Sequence, residues 1–280
     1  MARTVYVNGE FLPESEGKIS IFDRGFLFAD GVYEVTAVVN GKLVDYEPHM
    51  ERLERSLSEL QMGWPCTKDE LKAMHLEMVK RNALVEGIVY MQITRGSADR
   101  AFNFPKDVKP TLIAFTQAMK LVDNPNAVIG IKVVTIPDIR WLRRDIKSVA
   151  LLAPVLGKQA AYEQGAQEGW MVEDGFVTEG TSSNAYIVKD GKVITRGLSN
   201  AILAGCTRRS LFRLAEEKGM VIEERNFTVE EAYAADEAFL TSASQFVMPI
   251  VEIDGNRIGG GQPGPVVRKL RELFLDEAGR

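Results

Sequence analysis

Residues 179–208, EGTSSNAYIVKDGKVITRGLSNAILAGCTR, pass from strand through turn to helix, and the rest of the chain can be read outward from them. The runs NAYIVKDG and KVITRG are short, rich in β-branched residues and bounded by turn formers, as strands of a sheet are. After Leu203 the small residues Ala204 and Gly205 end a turn, and RRSLFRLAEEKG then opens an amphipathic helix with Thr207 as its expected N-cap. Such a start exposes unpaired N–H groups at the positive end of the helix dipole, which suits a phosphate but equally describes an ordinary capped helix. Upstream, WMVED and FVTEG add two strands at barrel-like spacing, and IGIKVVTI precedes them. Downstream, the helix 207–218, the strand EAFLTSA, the hairpin VEIDGNRIGG and a helix over 266–277 complete a strand-rich domain.

The N-terminal part has a different texture. Val5–Val7, Asn8-Gly9 and Glu10–Leu12 predict a tight hairpin, and VYEVTAVV, Asn40-Gly41 and KLVDY predict another. Pro48 opens a helix in which Met50, Leu53, Leu57 and Leu60 recur at helical spacing, and a further helix is expected from Lys68 to Asn82. The strands GIVYMQITRG and TLIAFTQAM flank the irregular SADRAFNFP. The expected class is therefore α/β (α+β), with a small N-terminal domain over 1–120, a polar linker over 121–127 (LVDNPNA) and a larger domain over 128–280.

With 280 residues, 45% hydrophobic, the chain can bury one large core or two moderate ones. Its net charge of -5 is dispersed, and no basic stripe interleaved with aromatics points to nucleic acid. No apolar run is long enough for a membrane helix, no basic leader precedes an apolar core, and Cys66 and Cys206 lack metal-ligand spacing, so a cytoplasmic protein with reduced thiols is expected. The two histidines, His49 and His75, fall in predicted helices and read as surface or half-buried residues, which leaves little for a Ser-His-Asp triad or a metal centre. Lys147, in DIKSVALL, follows a β-rich run beside apolar residues; it reads either as a solvated lysine at a strand edge or as a partly desolvated amine suited to Schiff-base chemistry. Glu179 alone reads as a turn residue before a strand, and Thr241–Ser244 as a small hydroxyl-bearing cradle.

Four separated segments together resemble one family, the class IV (fold type IV) aminotransferases, and among them the D-amino-acid aminotransferases. These are RGFLFADGVYEV, PHMERL, DIRWLRRDIKS, and the opening 179–208 stretch with its EGTSSNAY and LAGCTR motifs. The resemblance implies a small α/β lobe followed by a larger pseudo-barrel domain, a homodimer, and pyridoxal 5′-phosphate as cofactor. It implies that Lys147 carries the cofactor as a Schiff base and acts as general base and acid, and that Glu179 keeps the pyridine nitrogen protonated. Arg52, Thr207 with the Cys206 and Thr207 backbone, and Ser242 with the Ala243 backbone are implied as phosphate ligands, while Leu203 packs on one ring face. Tyr33, Arg100 and Phe102 are implied at the substrate carboxylate. The chain departs from the pattern there: Arg100-Ala101-Phe102 stands where the best-known D-amino-acid enzymes have Arg-x-His, and Phe102 cannot supply a hydrogen bond. The implied reaction is ping-pong transfer of an amino group between a D-amino acid such as D-alanine and a 2-oxo acid such as 2-oxoglutarate. On the same scaffold the alternatives are a branched-chain L-amino-acid or (R)-amine transaminase, and an aminodeoxychorismate lyase.

Overall fold

Five Asn-Gly or Asp-Gly pairs set the hairpins. Asn8-Gly9, Asn40-Gly41, Asp174-Gly175, Asp190-Gly191 and Asp254-Gly255 all have positive φ at both positions, the backbone a two-residue turn needs to match the twist of its strands. The structure, a computed structural model, describes residues 2–279 and comprises two compact units, Met1–Lys120 with Ile146–Ala150, and Leu121–Asp145 with Leu151–Arg280.

The first unit contains β1 (Thr4–Val7), β2 (Glu10–Pro13), α1 (Arg24–Phe28), β3 (Gly31–Val39), β4 (Lys42–Leu43), α2 (Tyr46–Glu59), α3 (Lys68–Arg81), β5 (Gly87–Thr94) and β6 (Thr111–Ala118). Its strands form one antiparallel sheet in the order β2-β1-β6-β5-β3-β4. Met50, Leu53 and Leu57 of α2, with Leu71, Met74 and Met78 of α3, pack with Val32, Met91, Ile93, Leu112 and Ala114 in one core. Burial of each leucine contributes about 2 kcal/mol. The helix starts at Tyr46, two residues before Pro48. Both histidines prove to be core residues, His49 at 2% exposure and His75 at 0%. The expectation of surface or half-buried positions fails because each finds a buried acceptor: Glu34 for His49, and the Leu71 carbonyl for His75, at 2.6 and 2.8 Å.

The second unit contains α4 (Pro125–Ile129), β7 (Ile131–Pro137), α5 (Leu152–Glu163), β8 (Glu168–Glu173), β9 (Phe176–Gly180), β10 (Asn184–Lys189), β11 (Lys192–Thr195), α6 (Cys206–Glu217), β12 (Ile222–Glu224), α7 (Val229–Tyr233), β13 (Glu237–Ser242), β14 (Phe246–Ile253), β15 (Asn256–Arg257) and α8 (Pro265–Glu277). Its sheet runs β12-β11-β10-β13-β14-β7-β8-β9, with β15 on β14. Strands β10 and β9 are five steps apart along that order, about 24 Å in a flat sheet. Yet only Thr181–Ser183 join them, and the Gly180 N–H donates to the Ser183 carbonyl at 2.7 Å. The sheet must therefore curl, and Trp170, Val177, Ala185, Ile187, Leu240 and Met248 fill its core.

Two segments differ from the expected division. The stretch 121–127, read as a linker, belongs to the second unit: Leu121 is buried, and Arg271 donates to the Leu121 and Val122 carbonyls at 2.7 and 2.9 Å. The stretch Ile146–Ala150, read as part of the larger domain, belongs to the first unit. Here it pairs with β3, the Tyr33 N–H donating to the Lys147 carbonyl and the Val149 N–H to the Gly31 carbonyl, both at 3.0 Å. Among the described residues no helix is long and apolar enough to cross a membrane.

Candidate active site

Each unit carries one set of the residues singled out by sequence. In the first, the β3 pairing fixes the backbone of Lys147, whose N–H also donates to the buried Ser56 Oγ at 3.3 Å. Its side-chain nitrogen lies 4.2 Å from the Tyr33 ring centroid, so one face of the amine is shielded by an aromatic surface. Tyr33 in turn stacks on Tyr90, and Tyr90 on Phe115, a ladder across β3, β5 and β6 that holds the ring still.

Behind Tyr33, strand alternation turns Glu34 inward, at 0% exposure, beneath α2. Arg52 grips both Glu34 oxygens, Nε to Oε1 at 2.8 Å and Nη2 to Oε2 at 2.7 Å, and His49 Nδ1 lies 2.6 Å from Oε2. Burial works to raise the Glu34 carboxyl, but the Arg52 charge and the hydrogen bonds from Arg52 and His49 outweigh it and hold the group at about 2. His49 and Arg52 share a helix face at the i, i+3 spacing that lets both reach one carboxylate.

Arg100 and Phe102 sit in the exposed connection between β5 and β6. The Arg100 guanidinium lies 5.2 Å from the Phe28 ring and 5.5 Å from the Phe102 ring, so Phe102 meets the arginine through its π face where a histidine would offer a hydrogen bond.

In the second unit Glu179 lies on β9, 4% exposed, and is fully engaged. Arg140 Nη1 donates to Oε1 at 2.5 Å, Asn184 Nδ2 to Oε2 at 3.0 Å, and the Leu203 N–H to both oxygens at 3.1 Å. Asn184 also donates to the Leu203 carbonyl at 2.9 Å, tying the 203–205 turn to β10. Burial raises the Glu179 carboxyl; the Arg140 charge opposes this without overcoming it, since Arg140 also serves Asp138, whose negative charge pushes Glu179 upward again. The N-cap expected at Thr207 falls two residues earlier, at Gly205, without a side-chain cap bond, and the helix begins at Cys206. Thr207 is thus the second helical residue. A side chain at Gly205 would collide with Asn184 Oδ1, so the close approach of turn and strand demands glycine. Arg208 pins this first turn through Thr195 and Glu224, at 3.0 and 2.7 Å.

Asn184 pairs in register with Thr241, which places Ser242, the last residue of β13, at the same end of the sheet as the Glu179 carboxylate and the 203–205 turn. The Ser242 hydroxyl is buried without a hydrogen-bond partner, a deficit of about 1–3 kcal/mol unless a ligand supplies the partner. Ala243 follows in the turn between β13 and β14. The second unit therefore gathers Glu179, Leu203, Cys206, Thr207, Ser242 and Ala243 at one rim, and the first holds Lys147, Tyr33 and Arg52 on neighbouring elements, with Arg100 and Phe102 on a loop.

Glu34, His49, Arg140 and Asn184 had no site role in the sequence reading. The signal for Glu34 was its place in the alternation of VYEVTAVV, where an inward carboxylate must find a cation. Arg140 and Asn184 lay inside quoted motifs, but only contact shows them holding Glu179.

Comparison with known proteins accords with this arrangement. Residues 31–253 match the family model described as amino-transferase class IV. D-alanine aminotransferase from Staphylococcus haemolyticus is 42% identical over 273 residues, 96% of each chain. The solved branched-chain amino acid aminotransferase of Escherichia coli has the same fold, with a TM-score of 0.91 at 23% identity over 99% of this chain and 94% of that one. A second solved branched-chain amino acid aminotransferase, from T.th. and with pyridoxamine 5′-phosphate, matches at TM-score 0.90 and 25% identity, again over 99% and 94%. The chain belongs to the class IV aminotransferases. Its mixed α/β fold, with a curled sheet in the larger unit, is the one expected of that class.

Proposed function

We propose that the chain is a D-amino-acid aminotransferase that uses pyridoxal 5′-phosphate to move an amino group between a D-amino acid such as D-alanine and a 2-oxo acid such as 2-oxoglutarate. The observation that carries the substrate class is the near full-length identity to a D-alanine aminotransferase. The donor set fits the cofactor: an amine shielded by Tyr33, a buried carboxylate on β9, a helix start without a side-chain cap bond, and a partnerless Ser242 hydroxyl. When bound, the cofactor supplies an electron sink for the pair left when substrate Cα loses its proton.

The chain's own residues do the rest. Lys147 binds the cofactor and moves the proton at substrate Cα, in both half-reactions. Glu179 keeps the ring nitrogen protonated, and Leu203 covers one ring face. Arg52, Thr207, Ser242 and the N–H groups of Cys206, Thr207 and Ala243 hold the phosphate, the helix end adding its positive dipole. Tyr33, Arg100 and Phe102 orient the substrate carboxylate; a guanidinium edge backed by aromatic faces suits a planar anion. A homodimer is supported by large apolar side chains left exposed, Ile21 and Phe26 in the first unit and Leu142 and Leu152 in the second. A cytoplasmic location rests on both cysteines being free.

A branched-chain or (R)-amine enzyme is the second reading, favoured by the branched-chain neighbours of the fold and by the apolar Phe102. A donor panel decides. Purified yellow protein should lose its absorbance with D-alanine and regain it with 2-oxoglutarate; a response to L-leucine or (R)-1-phenylethylamine in place of D-alanine would overturn the D-amino-acid assignment. Pyruvate released from aminodeoxychorismate without any acceptor would instead make it a lyase.

A further inference from the structure

Between α1 and β3 stands a carboxylate that the reaction does not use. Asp30 Oδ2 accepts from Arg24 Nε and from Arg95 Nε, both at 2.7 Å, and Oδ1 accepts from Arg95 Nη2 at 3.0 Å. The three side chains are nearly closed to solvent, at 4% for Arg24, 11% for Asp30 and 9% for Arg95. Two guanidinium groups buried this close repel one another strongly, so the anion between them is what lets both stay.

Both arginines then reach the loop that carries Arg100 and Phe102. Arg24 Nη1 donates to the Ala101 carbonyl at 2.6 Å and Nη2 to the Phe102 carbonyl at 3.4 Å. The Arg95 guanidinium stacks 3.6 Å from the Phe104 ring centroid, while it also donates to the Leu60 and Gln61 carbonyls at the end of α2. Arg24 also lies over Phe28 at 4.7 Å, on the ring that faces Arg100 and packs 5.4 Å from Phe102. The contacts that fix residues 101–104 thus lead back to one carboxylate. Arg100 itself pairs with no carboxylate among the described residues, leaving its edge available to an anion.

We propose that Asp30 is a positioning residue for substrate: through Arg24 and Arg95 it sets the place of the Arg100–Phe102 loop, and with it the affinity for the carboxylate of the amino acid and 2-oxo acid, without touching the reacting atoms. The inference rests on the reading that Arg100 meets that carboxylate.

The test uses the holoenzyme and the variants D30N, D30E, R24K and R100A, with steady-state kinetics in both substrates. D30N keeps the shape and removes the charge. It should raise KM for D-alanine and for 2-oxoglutarate roughly tenfold while kcat stays within about twofold, because binding is altered and the chemical step is not. D30E restores the charge and should recover part of the affinity. The double variant D30N/R100A should be no worse than R100A alone, since both act through one side chain. If D30N folds poorly, R24K, which shortens the reach to the Ala101 carbonyl, must show the same rise confined to KM. An unchanged KM, or a fall in kcat or cofactor retention equal to the loss of affinity, would overturn the proposal. Should R100A itself leave KM unchanged, the failure lies in the carboxylate reading; should R100A raise KM while D30N and R24K do not, it lies in the clamp.

Discussion

Glu34 in the first unit and Glu179 in the second are both buried carboxylates on β-strands, both paired with an arginine, yet they are shifted in opposite directions. Burial, the largest influence at each, raises both; the difference lies in what the arginine is free to give. Arg52 turns two nitrogens on Glu34, and His49 adds a third bond, so the charged form wins. Arg140 offers Glu179 one nitrogen and commits its Nε and Nη2 to Asp138. The lesson is that pairing a buried acid with an arginine does not by itself decide its state; the balance of burial against every charge around it does, and a shared arginine weighs on that balance. A firmly ionised Glu34 suits a structural anchor that orients Arg52. Glu179, raised by burial although N–H donors surround both oxygens, lacks the full cationic complement that Glu34 has, and a protonated ring nitrogen would supply it.

The comparison can be broken most sharply at Glu179. Glu179→Gln should lower kcat by roughly 10³-fold with near-native circular dichroism, because an amide cannot sustain the ring cation, a loss on the scale of removing a key electrostatic stabiliser. Turnover within about tenfold of the parent would remove Glu179 from the chemistry.

Stability should respond in the opposite order. Glu34 falls from 4.5 to about 2, so its charge contributes about 3 kcal/mol at neutral pH, present above its ordinary value and lost as pH falls from 4.5 toward 2. Glu34→Gln should therefore lower the urea midpoint at pH 7, and the gap from the parent should close on acidification. Glu179, being raised, contributes stability that is present below its ordinary value and lost as pH rises through the raised one. Glu179→Gln should leave the urea midpoint at pH 7 unchanged or higher. Equal destabilisation by the two amides would mean that the two sites do not differ as described.

The smallest effect is expected at Asp138. Asp138→Asn removes the competitor for Arg140 and the negative charge that raises Glu179, so the acidic limb of the pH–rate profile should move down by less than about one unit. A move upward would contradict the sharing of Arg140.

Much of this was legible in the chain itself. The Asx-Gly turns, the helical spacing of Met50, Leu53 and Leu57, and the strand-turn-helix passage of 179–208 are local patterns, written by φ preference and hydrophobic period. They located the hairpins and the longer helices to within a few residues, and the motifs around them pointed to the family, while the five-residue helices α1, α4 and α7 went unread. Less legible were the partners. His49 and His75 read as ordinary helical positions because nothing within their helices announces Glu34, fifteen residues before His49 across a sheet-helix interface. Thr207 read as a cap because capping propensity is local, whereas Gly205 takes that place under a steric demand from Asn184.

The sequence by itself determined which stretches form the strands, hairpin turns and longer helices and which residue types could carry transamination, since these follow from backbone preference and side-chain chemistry a few residues at a time. Only the tertiary structure decided that Ile146–Ala150 pairs with β3, that Arg52 gives two nitrogens to Glu34 while Arg140 is divided, and that Asp30 sits between Arg24 and Arg95. Those outcomes depend on charges brought together from distant parts of the chain into a low-dielectric interior, where the balance of burial against the surrounding cations and donors changes which form of a group survives.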